Sequence, residues 1–117
     1  MKYRIGFILL FLIPVSLYGQ FVESSRRLGV RHLHTIGSLH GGGVAFIDYD
    51  NDGFEDVYLT GGIRSDRLYR NVNGESFKDV TAEARLLIDP SPITTAVSVA
   101  DYDNDGVNDI FVSTMAD

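Results

Sequence analysis

Apolar residues in this chain fall in short runs and alternations rather than at helical spacing. "GVAFID" at residues 43–48 is a continuous apolar run, short enough for a strand buried on both faces. "DVYLTGG" at 56–62 alternates Val57 and Leu59 with Tyr58 and Thr60, the pattern of a half-buried strand. "DRLYRNV" at 66–72 predicts a third strand, closed by Asn73-Gly74, a pair that favours a two-residue hairpin turn. "SFKDVTAEARL" at 76–86 begins as a fourth strand and ends in a short irregular turn. "DPSPITT" at 89–95 then reads as a connector, because its prolines cannot donate ladder hydrogen bonds. After it "TAVSVAD" restarts the first strand and "DIFVST" the second.

That restart is a repeat. Val44–Leu59 aligns with Val97–Val112 at an offset of 53 residues (97 minus 44). A weaker echo joins "FVESS" at Phe21 to "FKDVT" at Phe77. Four short antiparallel strands per repeat predict an all-β fold of propeller blades, with about one and a half blades in these 117 residues. The division that follows is 1–19 leader, 20–40 entry segment, 41–92 first blade and 93–117 start of a second.

The most conserved part of the internal repeat is also its most acidic. "DYDNDGFED" at 48–56 returns as "DYDNDGVND" at 101–109, and only Phe54/Val107 and Glu55/Asn108 differ. Each loop has the form D-x-D-x-D-G-x-x-D. Four carboxylates held this close repel one another by several kcal/mol unless a cation joins them. Calcium suits the problem, since it takes about 6–8 hard oxygen ligands in a flexible geometry. The expected ligands are Asp48, Asp50, Asp52, the carbonyl of Phe54 and Asp56 in the first loop. In the second they are Asp101, Asp103, Asp105, the carbonyl of Val107 and Asp109. The glycine at position six supplies the backbone angle of a tight wrap. An EF-hand is excluded: its twelfth position needs a bidentate Glu, and here it is Leu59 or Val112 between strand-like flanks. Simple turn preference explains one "DNDG", but not four aligned carboxylates twice.

Composition narrows the setting. "MKYRIGFILLFLIPVSLYGQ" has a basic start at Lys2 and Arg4 and an apolar run from Ile5 to about Leu17. It reads as a secretory signal peptide cut between Gly19 and Gln20, against an uncleaved anchor or buried segment as the alternative. Its removal takes the formal charge from −6 to −8, and two calcium ions would return it to −4. So acidic a chain is a poor partner for nucleic acid. It has no cysteine and hence no disulfide framework. His32, His34 and His40 fall close together but lack a local acidic or thiol co-ligand, and read as surface or packing residues. "GGG" at 41–43 precedes a strand, with no Lys-Ser/Thr after it, so close backbone approach is preferred to phosphate binding. Arg64, Arg67 and Arg70 with Asp66 read as a solvated face, and no nucleophile–base constellation is visible.

The acidic loops and their flanks resemble the FG-GAP/VCBS repeats of integrin-like β-propellers. "GGGVAFIDYDNDGFEDVYLTGG" and "DRLYRNVNGESFKDVTAEARL" are similar to the cartilage-acidic-protein-like branch, whose members often carry a C-terminal ASPIC/UnbV domain. The resemblance covers roughly Phe21 to the C-terminus. It departs at Arg85, where that family usually has glycine, and in holding far fewer than the family's about seven blades. The resemblance implies a secreted, calcium-binding module for extracellular binding or adhesion, with an extracellular protein or glycan as partner. The remaining blades would be supplied by a longer chain or by self-assembly, and Phe21 would open a strand closing the last blade. The alternative is the first part of a propeller enzyme acting on extracellular polysaccharide or another polymer.

Overall fold

The computed structural model describes residues 21–35, 41–86 and 93–115. The leader at 1–19, His40 and the prolines of the connector lie outside these residues. Within them, β1 (Val44–Ile47), β2 (Asp56–Leu59), β3 (Arg67–Val72) and β4 (Ser76–Asp79) form an antiparallel meander in the order β1-β2-β3-β4. Then β5 (Ile93–Ala100) and β6 (Asp109–Met115) pair as a second sheet. The 53-residue period survives in the register: Val44 pairs with Leu59 as Val97 pairs with Val112, and Ile47 with Asp56 as Ala100 with Asp109. The same sequence pattern has thus folded into the same hairpin twice.

The core lies between the two sheets. Ala45, Tyr58, Leu68 and Val80 form its centre, and Val97, Val99, Ile110 and Val112 pack against them. The expectation that β1 is buried on both faces is corrected here. Ala45 and Ile47 are buried, but Val44 and Phe46 are 56% and 63% exposed, because only one neighbouring sheet covers the strand among the described residues. In β2 the covered face is the more polar one. Asp56, Tyr58 and Thr60 are buried, and Val57 and Leu59 only half-buried. Each of those polar groups has hydrogen-bond partners, the condition for burying it without a large penalty.

The β3–β4 turn differs slightly from its expected form. Asn73 and Gly74 both adopt positive φ (54° and 76°), and the Glu75 N–H donates to the Val72 carbonyl. Val72 nevertheless pairs with Ser76, so Glu75 is a third loop residue. After β4 the chain turns through residues 81–85, where the Ala84 N–H donates to the Val80 carbonyl. Arg85 closes that turn at φ 59°, a left-handed conformation that glycine adopts without steric cost. This is the physical reason glycine suits the position at which this chain departs from the pattern it resembles.

The entry segment contains one helical turn, α1 (Ser25–Leu28), followed by chain in no regular structure. Phe21, read as the start of a closing strand, pairs with neither sheet and is fully exposed. A parallel bridge from Thr35 to Gly62 is one of the ties between the segment and the blade. The close approach expected of the "GGG" run is present. A Cβ on Gly43 would stand 2.7 Å from the Val97 backbone nitrogen, so only glycine lets β1's approach lie directly against β5.

Candidate metal centre

Each acidic loop is a β1–β2-type connection whose first aspartate organises the turn through its carboxylate. The Asp52 and Gly53 N–H groups donate to the two oxygens of Asp48 at 3.0 and 2.9 Å. The Asp105 and Gly106 N–H groups do the same to Asp101 at 3.1 and 3.0 Å. Asn51 and Gly53 take φ of 57° and 89°, and Asn104 and Gly106 take 60° and 89°. The left-handed residues curl the chain back so that alternate side chains converge. Asparagine tolerates that conformation, and glycine meets no penalty in it.

The result is two groups of three carboxylates. Asp48, Asp50 and Asp56 bring one oxygen each within 4.8 Å of one another, and so do Asp101, Asp103 and Asp109. At that separation each pair of charges repels by about 3 kcal/mol at an effective dielectric of about 20. Nearby compensation is slight: Arg70 is 3.9 Å from Asp50. Sites so arranged are able to hold a metal ion, and oxygen-only donors select a hard divalent cation.

The fourth carboxylate of each loop behaves differently. Asp52 turns an oxygen to the Phe54 N–H at 2.9 Å, and Asp105 turns one to the Val107 N–H at 2.8 Å. These aspartates stand outside the converging groups and fix the backbone at Phe54 and Val107, the two residues read as carbonyl donors.

Asp56 is the most constrained member. It is fully buried, and its oxygens accept the N–H groups of Tyr49 at 3.0 Å and Asn71 at 2.7 Å. Burial raises its pKa, the two amide hydrogen bonds lower it, and the charges of Asp50 and Asp52 raise it further; the net effect is upward. A carboxyl held up in this way is eased by a neighbouring cation. Asp109 keeps the matching bond from the Tyr102 N–H at 2.9 Å but is exposed, since no strand beyond β6 lies against it among the described residues.

Other residues singled out in the sequence have structural partners. His32 Nε2 and His34 Nδ1 both donate to the Thr60 carbonyl, at 2.8 and 2.9 Å, and so fasten the entry segment to the end of β2. No histidine joins a group of three ligands among the described residues. Asp66 is not on a solvated face. It is buried, and accepts hydrogen bonds from the Tyr58 hydroxyl at 2.6 Å, the Gly61 N–H at 2.8 Å and the Thr94 hydroxyl of β5. Burial, then the hydrogen bond and charge of Asp66, push the Tyr58 phenol well above its ordinary pKa, so it stays a donor.

Comparison with known proteins agrees with this architecture. The profile of the FG-GAP-like repeat family matches residues 48–112, which contain both acidic loops. Over 101 residues, 84% of this chain, it is 33% identical to cartilage acidic protein 1 of Xenopus tropicalis and 32% identical to the Homo sapiens protein. The Mus musculus protein is 31% identical over the same length. The chain spans only 14–15% of the length of these relatives. No solved structure matches it. With the matched profile covering more than half of its length, the chain belongs to the FG-GAP-like repeat family, and its sheets are β-propeller blades.

Proposed function

We propose that the chain contributes calcium-stabilised blades to a secreted β-propeller that serves as an extracellular binding module. The observation that carries this reading is the pair of equivalent carboxylate groups, Asp48/Asp50/Asp56 and Asp101/Asp103/Asp109, each set in a loop with the same backbone path. Calcium fits the donor set, with Asp52, Asp105 and the carbonyls of Phe54 and Val107 available to complete the shell directly or through water. Its role here is structural. It neutralises the crowded turn and fixes the β1–β2 and β5–β6 hairpins on which blade packing depends. The basic and apolar N-terminus, and relatives whose name refers to cartilage, support the extracellular setting.

Thermal unfolding with and without chelator tests the role of the ion. At calcium about ten times Kd, each site should add about 1.4 kcal/mol, so chelator should lower the melting temperature measurably. Asp50→Asn with Asp103→Asn should abolish that response while melting near the chelated wild type, because among the described residues Asp50 makes one long contact to Arg70 and Asp103 accepts one bond from the Asp105 N–H at 3.2 Å, which an amide oxygen still accepts. Equal melting of wild type in calcium and in chelator would remove the ion from the explanation.

A further inference from the structure

The blade is electrically polarised. Its acidic loop and Asn73-Gly74 turn lie at one end of the sheet, and the β2–β3 turn and the entry segment at the other. At this second end two adjoining cavities of about 600 and 440 Å³ share Arg31 and His32. Arg26 borders the first, and Arg64 and Arg67 border the second. No carboxylate lines either one among the described residues. Four cationic side chains thus gather along one cleft in a chain whose formal charge is −6.

The cleft is built rather than accidental. Buried Tyr69 holds the Arg31 backbone from both sides, its hydroxyl donating to the Arg31 carbonyl and accepting the Arg31 N–H. His32 is fixed on the Thr60 carbonyl, and Arg64 Nε donates to the Thr35 hydroxyl at 3.2 Å. Arg67 is steadied by Asp79 at 3.2 Å, and Glu23 lies near Arg26. Asp66, at the same end, is occupied by Tyr58, Gly61 and Thr94. The acidic loop stands roughly 14 Å away along the four residues of β2, beyond the Debye length of about 8 Å, so its repulsion is screened.

We propose that this cleft docks a sulfated polysaccharide. Planar guanidinium groups match sulfate oxygens in a forked geometry, and the held backbone of Arg31 and held side chains of Arg64 and Arg67 reduce the ordering cost of binding. Two cavities in series suit an extended ligand with repeated charges better than one compact anion. Among the described residues the lining carries no Phe, Tyr or Trp ring on which a nucleobase would stack. The choice of an extracellular polymer rests on the proposed extracellular setting, whereas the cationic cleft is independent of the calcium loops.

The test is binding of the full-length chain, in calcium, to immobilised heparin-type oligosaccharide, to the same oligosaccharide after desulfation, and to poly-glutamate. The sulfated form should bind with strong salt dependence and the desulfated form should not. Arg31→Gln with Arg64→Gln should weaken binding by at least about tenfold, with unchanged melting and an unchanged response to chelator. If loss of the Thr35 contact lowers melting, Arg26→Gln with Arg31→Gln carries the same test. Failure of wild type to bind, equal binding by the variants, equal binding of the desulfated chain, or tighter binding of poly-glutamate would overturn the proposal. The chelator response is read separately, so either reading can fail without the other.

Discussion

Replacing Asp56 with alanine should destabilise the protein by roughly 3–4 kcal/mol in calcium and still by roughly 2 kcal/mol in chelator, measured by unfolding. The two values differ because the side chain has two tasks. It accepts the N–H groups of Tyr49 and Asn71 in a site with no exposed surface, and removal leaves both donors unpaired. Each such donor costs about 1–3 kcal/mol, partly offset in chelator by relief of a poorly solvated carboxylate. That relief has a pH signature. With its folded pKa raised, the uncomplexed Asp56 site contributes stability below the unfolded carboxyl value and loses it as pH rises through the folded one. Calcium should flatten this decline. Asp50→Asn, by contrast, should cost nothing in chelator. An Asp56→Ala protein as stable as wild type in chelator would show that the two amides do not depend on this carboxylate.

Asp66→Ala should cost roughly 4 kcal/mol, equally in calcium and in chelator. Its loss leaves Tyr58, Gly61 and Thr94 without an acceptor, and Thr94 belongs to the neighbouring sheet. The Gly62 N–H also bonds to the Thr94 hydroxyl, so the carboxylate anchors a small polar bridge between blades. Asp66→Asn should recover about half of the loss, since one oxygen still accepts. The measurement is chemical unfolding of both variants with and without calcium. A loss that appears only with calcium present would place Asp66 in the metal's sphere and contradict the bridge.

The blade was legible because its signals are local. Val44–Ile47, the Asn73-Gly74 turn and the spacing of the acidic loops each declare themselves within a few residues, and the 53-residue offset shows that the unit recurs. What was not legible depends on contacts across long separations. Asp66 looked solvated beside three arginines, and only its meeting with Thr94, 28 residues on, makes it a buried hub. His32 and His34 read only as surface or packing residues, with no partner legible. Both reach one carbonyl, that of Thr60, from an irregular segment 26–28 residues away in sequence. The buried side of β2 was hidden because burial there rests on hydrogen-bond partners for Asp56, Tyr58 and Thr60, not on hydrophobicity. Within the loops, spacing brought forward all four aspartates, but not that three converge while Asp52 and Asp105 bond to the N–H groups of Phe54 and Val107.

Each group of three aspartates is proposed to hold one calcium ion, and titration of the metal-stripped full-length chain with calcium, followed by calorimetry, counts the ions taken up. Wild type should take up two more ions per chain than Asp50→Asn with Asp103→Asn, and each single variant one fewer than wild type. Equal calcium uptake by wild type and the double variant would contradict it.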